Sequence, residues 1–211
     1  MINVFSSTII EAVKNECGLN SSLAFAYFYF DFKDPAKQNY RNLICSLIIQ
    51  LSGRFASIPS TLQGLYSQNL NGRQQPTLEI LLTVFKELCR PFRHTYIVLD
   101  ALDESKGPER NDVLSFIETL AGWGFDNVHL LATSQREQEI ERRLESLNCS
   151  YLDLGMALIG QDIQIYVCAM LAGDESFRHW KDKEKQLIEE TLMKGANGMY
   201  VTSSASLDTM H

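Results

Sequence analysis

The amino-acid sequence predicts an α/β protein in which helices cover both faces of a parallel sheet. Short apolar segments, rich in β-branched and aromatic residues, alternate along the chain with longer segments of helical periodicity. The strand segments are apolar at successive positions, which is typical of strands buried on both faces of a parallel sheet. Helix caps and turn-forming residues separate the two kinds of segment.

The first third of the chain predicts a helix, a strand and a second helix. Apolar residues at helical spacing indicate a helix over residues 6–14, and the Phe- and Tyr-rich residues 23–32 indicate a strand. Asp34 can serve as an N-cap, and Pro35 suits the first helical position. We therefore expect the second helix to begin at this pair and to run through Leu51.

The middle third predicts two strands and the helices around them. Residues 57–76 contain turn signals and a short helix, and a capped amphipathic helix follows over residues 77–89. Strands are predicted at residues 95–99 and 128–133, because both segments are short, apolar and β-branched. A helix over residues 109–122 connects them.

The last third predicts one more short strand, at residues 149–154, and then a change of pattern. Helices are expected at residues 161–171 and 181–194. We therefore divide the chain into a sheet-containing core, residues 1–156, and the start of a helical, winged-helix-like extension, residues 157–211.

Charge and cysteine content restrict the class of protein. Lys and Arg number 19 against 26 Asp and Glu, so the net charge is −7 and no overall positive field attracts a nucleic-acid backbone. The five cysteines include no Cys-x-x-Cys pair and are typical of reduced thiols in the cytosol. The apolar N-terminal stretch is too short to cross a bilayer and lacks signal-peptide features. We expect a cytoplasmic protein without nucleic-acid or membrane partners.

A carboxylate at the end of an apolar strand marks the predicted site. Asp100 directly follows residues 95–99, and parallel sheets bind ligands at the carboxyl ends of their strands. Burying this carboxylate is costly unless a cation or hydrogen bonds compensate it, and the Mg²⁺ of a nucleotide is a common cation there. Asp103 and Glu104 lie within one turn and could polarise an attacking water. The alternative is that Asp100 caps a turn while Asp103 and Glu104 face solvent.

Residues 96–104, Tyr-Ile-Val-Leu-Asp-Ala-Leu-Asp-Glu, resemble the Walker B strand of the NACHT-type signal-transduction NTPases, which belong to the STAND class of P-loop NTPases. The resemblance is strongest to fungal members whose NTPase domain is similar to the N-terminal region of nephrocystin. Four further segments are similar to the helix after the phosphate loop, the second strand with the following helix start, the sensor strand and the first helix beyond the core: residues 6–11, 23–35, 130–137 and 162–167.

The resemblance implies a P-loop NTPase-like sandwich and a set of site residues. Asp100 would hold the Mg²⁺ of ATP or GTP, and Asp103 and Glu104 would be catalytic. Ser134 and Arg136, at the end of the sensor strand, would contact the nucleotide. The family usually places Arg directly after Thr-Ser, where this chain has Gln, so the alternative for Arg136 is a surface residue near neighbouring glutamates.

The phosphate-binding loop departs from the family pattern. The sequence contains no Gly-Lys dipeptide, and the alignment places the Gly-Lys-Ser/Thr motif on Met1, Ile2 and Asn3. The strand before the loop is absent, although the resemblance places it inside the sheet beside the sensor strand, so unpaired strand edges are expected. Two explanations stay open: a truncation that begins at an internal Met, or a variant that receives the missing strand from elsewhere.

Two functions are compatible with this sequence. The first is a partial NACHT-type nucleotide-binding module, cut off just after the phosphate loop, with weak or no hydrolysis because the phosphate-binding lysine and backbone amides are missing. The second is a non-catalytic regulatory or scaffold module with a degenerate NTPase fold. In both cases we expect protein partners or self-association.

Overall fold

The computed structural model of the chain describes residues 2–147, 149–153 and 199–204. Within these residues, helices pack on a sheet in which three consecutive strands run parallel. The predicted α/β class with a parallel sheet is therefore confirmed.

The described elements follow one another with short connections. In chain order they are α1 (Ile2–Leu19), β1 (Leu23–Tyr29), α2 (Tyr40–Ser52), α3 (Ser60–Gln68), α4 (Leu78–Cys89), β2 (His94–Asp100), α5 (Gly107–Gly122), β3 (Val128–Gln135), α6 (Gln138–Glu145), β4 (Ser150–Asp153) and β5 (Met199–Ser204). Three short 3-10 helices lie at Pro35–Lys37, Leu70–Gly72 and Leu102–Glu104.

The sheet has the strand order β1-β2-β3-β5-β4. β1, β2 and β3 are parallel, and their register places Tyr29 opposite Asp100 and Leu99 opposite Ala132. The carboxyl ends of the three strands consequently lie at one edge of the sheet. This edge carries the residues that the sequence predicts as a site.

β5 fills the position beside β3 that was expected to be unpaired. It runs antiparallel to β3, from Leu130 paired with Ser204 to Gln135 paired with Met199, and it also pairs with β4. The edge of β3 is thus hydrogen-bonded by a later segment of the same chain, and unpaired edges are not found there. The helices expected at residues 161–171 and 181–194 lie outside the described residues, and the boundary at residue 156 stays a prediction.

The two sheet faces have separate apolar clusters. Alternate residues of β1, β2 and β3 enter the larger cluster together with α2, α4, α5 and α6, and its largest fully buried side chains include Phe85, Phe116 and Leu47. On the other face, Ile10 and Cys17 of α1 pack against the sheet in a smaller cluster. Burial on both faces explains why the strands are apolar at successive positions.

α2 does not begin where the sequence predicts. Asp34 accepts a hydrogen bond from the Ala36 amide, but Pro35 opens only a three-residue 3-10 helix. Asn39 is extended and accepts from the Asn42 amide at 3.1 Å, so α2 begins one residue after it. Asp34 therefore caps the 3-10 helix and Asn39 caps α2. The expectation of one continuous helix from Asp34 was wrong.

β1 also ends earlier than predicted. Its ladder with β2 closes at Tyr29, and the Phe30 amide donates to the Asp100 carbonyl at 3.0 Å. The chain then turns at Asp31, whose side chain accepts from the Lys33 amide at 2.9 Å. The other predicted strands and helices of residues 57–154 are present, with ends that differ by a few residues.

The outer edge of β1 is covered by a side chain of α2. Gln50 accepts from the Tyr27 amide at 3.1 Å and donates to the Tyr27 carbonyl at 2.7 Å. A single glutamine therefore pairs both backbone groups of an outward-facing strand residue, which leaves less of this edge open to another chain.

The helices and cysteines of the described residues add two observations. None of these helices combines the length and apolarity that crossing a bilayer requires. The four cysteines in this part of the chain are free thiols, and burial raises the pKa of Cys89 to about 12. Cys89 therefore stays protonated and unreactive at neutral pH.

Two histidines pair at the amino edge of the sheet. His94 Nδ1 lies 2.9 Å from His129 Nε2, and the His129 ring stacks on Tyr96 with centroids 5.1 Å apart. Burial lowers the pKa of His129, and the nearby His94 lowers it further. The folded protein thus favours neutral His129.

We expect His129 to make the free energy of unfolding fall with acidification. Because the folded pKa of His129 is below its unfolded value, the stabilisation is present above about pH 6.5 and is lost as pH falls toward the lowered pKa. Urea unfolding at about pH 7.5 and about pH 5.5 should show a smaller loss for His129→Gln than for the parent chain. Equal losses in both proteins would contradict the assignment.

Candidate functional site

Asp100 is the centre of the candidate site. It lies at the end of β2 with only 1% of its surface exposed. The hydroxyls of Ser6 and Thr133, both buried, donate hydrogen bonds to the same carboxylate oxygen, Oδ1. Burial raises the pKa of Asp100, while the two hydroxyl groups lower it. The carboxylate is therefore partly compensated, and its charged form remains expensive to keep in this position.

Three elements bring these groups together. Ser6 lies on the buried side of α1, and Thr133 lies near the end of β3, one position beyond the residue paired with Leu99. The Thr133 hydroxyl oxygen also accepts from the Ala101 amide at 3.0 Å. One hydroxyl group thus fixes both the carboxylate of Asp100 and the backbone that follows it.

The chain after Asp100 turns through an unusual backbone conformation. Ala101 is left-handed, with φ 60° and ψ 53°, and begins the 3-10 helix Leu102–Glu104. Asp103 Oδ1 then accepts from the Gln135 amide at 2.9 Å, and Glu104 Oε2 accepts from the Phe32 amide at 3.0 Å. The two acids predicted to be catalytic consequently connect the end of β2 to the segments at the ends of β3 and β1.

Arg110 supports this turn from α5. Its guanidinium donates to the carbonyl oxygens of Ser105 and Asp103 at 2.8 and 2.7 Å. It also forms an ion pair with Glu137 and a longer contact of 3.7 Å with Glu139. The side chain of Arg110 is 12% exposed, so the turn after β2 is held by a nearly buried cation.

The predicted residues differ in the contacts they make. Asp100, Asp103 and Glu104 occupy the predicted carboxyl edge. Ser134 Oγ donates to the Gln135 carbonyl at 2.7 Å, and Arg136 lies 3.3 Å from Glu141 Oε1. Arg136 therefore contacts a glutamate of α6, and nucleotide contacts by Ser134 and Arg136 stay predictions.

Sequence reasoning did not select Ser6 and Thr133. A signal for Ser6 was present, because it follows Asn3, the position aligned with the family's metal-binding hydroxyl, by three residues. Residues three apart share a helix face, so a hydroxyl one turn later could meet the same carboxylate. Thr133 stood within the sensor-strand resemblance without a role of its own.

The polar side-chain atoms around Asp100 are oxygens, which is the type of ligand that Mg²⁺ prefers. Mg²⁺ prefers oxygen ligands and is commonly held by one or two carboxylates together with phosphate oxygens and water. The site offers one carboxylate and two hydroxyls, from Asp100, Ser6 and Thr133. In the described part of the chain, no group of three or more His, Cys, Asp or Glu residues could hold a metal by itself. A bound Mg²⁺ would need further oxygen ligands, such as water, beside these groups.

Comparison with protein families gives a match. The model of the family described as Nephrocystin 3, N-terminal, matches residues 3–135. This range begins at the second residue of α1 and ends with the last residue of β3, so it covers Ser6, Asp100 and Thr133. Neither a curated protein nor a solved structure matches the chain.

Removing the Ser6 hydroxyl should destabilise the fold. Ser6→Ala leaves buried Asp100 with one fewer donor, and we expect the free energy of unfolding at neutral pH to fall by about 1.5–3 kcal/mol. Chemical denaturation measures the loss. Ser67→Ala is the control, because Ser67 is an exposed serine that bonds within its own helix. A loss no larger than that of the control would argue against the Asp100 contact.

Relieving the backbone strain at Ala101 should have the opposite effect. A non-glycine residue in the left-handed region costs roughly 1–2 kcal/mol, partly offset here because glycine also loosens the unfolded chain. We expect Ala101→Gly to raise unfolding stability by up to about 1 kcal/mol and Ala101→Val to lower it. Thermal and urea unfolding of both variants should show this order, and the reverse order would refute it.

Proposed function

The chain belongs to the nephrocystin 3 N-terminal family, and from this premise we propose that it is a nucleotide-binding module of a NACHT-type signal-transduction NTPase. In this proposal it binds ATP or GTP with Mg²⁺ and hydrolyses it weakly or not at all. It would act in the cytoplasm as part of a STAND-class switch.

Buried Asp100 is the observation that carries the proposal. Its raised pKa reflects the cost of desolvating the carboxylate, and a cation at this position would remove much of that cost. Mg²⁺, when bound, would neutralise charge on the nucleotide phosphates. Asp100 would hold the ion, and Ser6 and Thr133 would orient the carboxylate through their hydrogen bonds.

The hydrogen bonds of the neighbouring acids are a reason to expect that any hydrolysis is weak. Asp103 and Glu104 each already accept a backbone amide, so activation of a water would use a carboxylate engaged in holding the turn. The sequence contains no Gly-Lys pair to bind the β- and γ-phosphates. Arg136 would have to exchange its contact with Glu141 for the nucleotide before it could sense a γ-phosphate.

A second candidate function rests on the same hydrogen bonds. Since Asp103 and Glu104 hold the ends of three strands together, the acidic motif stabilises the fold without any nucleotide. The alternative proposal, a regulatory or scaffold module that associates with intact relatives or with itself, needs no more of these acids than this structural role. Size-exclusion chromatography with a relative that contains a phosphate loop tests it, and a monomer that does not associate would count against it.

Calorimetry with Mg-ATP and Mg-GTP tests the nucleotide proposal. We expect Mg²⁺-dependent binding that Asp100→Asn removes, while the Asp112→Asn control on the exposed side of α5 retains it. Phosphate release should stay at the level of the protein-free blank. Rapid turnover that depends on Asp100 would contradict weak or absent hydrolysis, and the absence of any binding would contradict the proposal.

Stability measurements keep the Asp100→Asn result interpretable. The folded pKa of Asp100 is raised, so the folded protein binds this proton more tightly, and stability is lost as pH rises through that pKa. Asparagine retains an oxygen acceptor without the buried charge. We therefore expect Asp100→Asn to unfold at a higher temperature than the parent chain in metal-free buffer at neutral pH. Lost binding by a more stable variant cannot be attributed to misfolding.

A further inference from the structure

Asp100 lies in a closed site, although the proposed function requires an ion to reach it. Asp100 and the two residues that donate to its Oδ1, Ser6 and Thr133, are each at most 1% exposed. Mg²⁺ dehydrates reluctantly and usually keeps several waters. One of the elements around Asp100 must therefore move before the ion can enter.

The turn after β2 is tied to β3 and α5 by several hydrogen bonds. The Ala101 amide donates to the Thr133 hydroxyl, and the Gln135 amide donates to Asp103. The Arg110 guanidinium donates to the carbonyl oxygen of Asp103. Opening the site on this side would break these bonds together, so the turn is the less suitable element to move.

α1 is held to the sheet by fewer buried residues than α2. Among residues 6–19, the buried ones are Ser6, Ile10 and Cys17. α2 has 13 residues and buries six of them. Packing of an apolar face is the main contribution that keeps a helix in place, so α1 detaches at a smaller cost in free energy.

The carboxyl end of α1 is fixed. The Arg54 guanidinium donates to the carbonyl oxygens of Cys17 at 2.6 Å and Asn20 at 3.2 Å. Cys17 also packs in the apolar cluster on this face of the sheet. A movement of α1 would therefore pivot about this end.

Two serine hydroxyls tie the amino-terminal half of α1 to the sheet. Ser6 donates to Asp100, and Ser7 hydrogen-bonds the phenol of Tyr29, the residue of β1 that pairs with Asp100. Ile10 adds a buried apolar contact. A hydrogen bond to a carboxylate is stronger than one between neutral groups, so Ser6 makes the stronger of the two polar contacts.

We propose that α1 is a gate over Asp100, hinged at Cys17 and latched by the Ser6 hydroxyl, which controls the entry and exit of the nucleotide-bound Mg²⁺. This inference rests on the proposed function and adds the regulation of the same site. In the closed form Ser6 orients the carboxylate, and in the open form Asp100 meets solvent. Because entry and exit both require the open form, a weaker latch speeds both and changes the affinity less.

Stopped-flow mixing with Mg²⁺ and an ATP that carries a fluorescent N-methylanthraniloyl group, followed by displacement with unlabelled ATP, measures both rates. Ser6→Ala should raise association and release about tenfold each, the ratio expected for one lost hydrogen bond to a charged group. Tyr29→Phe keeps the ring, removes the hydroxyl that Ser7 bonds, and should raise both rates about twofold. Ile117→Val is the control, because it weakens the core on the opposite face of the sheet.

Hydrogen exchange of the metal-free chain measures the gate without a nucleotide. Amides of residues 6–13 should exchange faster than in the parent chain in both latch variants. In Ile117→Val these amides should keep the parent rate, while amides of α5 exchange faster. Acceleration of both helices by the same factor in the control would mean that α1 opens only with the whole fold, which overturns the gate.

The outcomes separate the gate from the proposed function. If the chain binds the labelled nucleotide and both latch variants show the rates of the control, the gate is wrong and the nucleotide module stands. If a folded Ser6→Ala chain no longer binds, Ser6 is needed for binding itself and the gate is also wrong. A chain that binds no nucleotide in the presence of Mg²⁺ overturns both proposals.

Discussion

The burial of one carboxylate determines much of the local architecture. Asp100 lies at the end of an apolar strand where water does not reach it, so protein groups must supply its hydrogen bonds. Those groups come from both sides: a hydroxyl of α1 and a hydroxyl of β3 meet at one oxygen. The position of the first helix on the sheet is therefore linked to the charge at the end of β2, although α1 contributes only a small apolar cluster.

The turn after Asp100 connects the ends of three strands beside this buried charge. Ala101 takes a strained conformation, and the following 3-10 helix directs one acid toward β3 and the other toward β1. Acidic residues in such a motif invite a purely catalytic interpretation. Here they are also backbone acceptors, and Arg110 stabilises the same turn. A loss of activity after mutating Asp103 or Glu104 would consequently reflect structure as well as chemistry.

Local sequence patterns predicted the helices and strands. Contacts between residues far apart in the sequence determined the features that these patterns did not predict. Hydrophobic periodicity and capping residues were enough to predict the parallel strands and α4, because both signals lie within a few residues of each other. The predicted start of α2 was wrong because Asp34 and Asn39 are both good N-caps. In the structure, Asp34 caps the 3-10 helix and Asn39 caps α2. The position of Asp100 at the end of β2 was predicted from the apolar segment before it. Ser6 was not predicted because its partner is 94 residues away. The pairing of β5 was not predicted because no feature of residues 199–204 indicates that they lie beside β3.

The place of β5 also affects the growing chain. β5 follows β4 in sequence but lies between β3 and β4 in the sheet, so the partner that the described residues give β4 is a strand made after it. At roughly 5–20 residues per second, the ribosome leaves β3 without this partner for several seconds after β3 emerges. A nascent chain in that interval presents an open strand edge to its neighbours on a polysome. The distance in sequence between β3 and β5 therefore sets how long this edge stays open during synthesis.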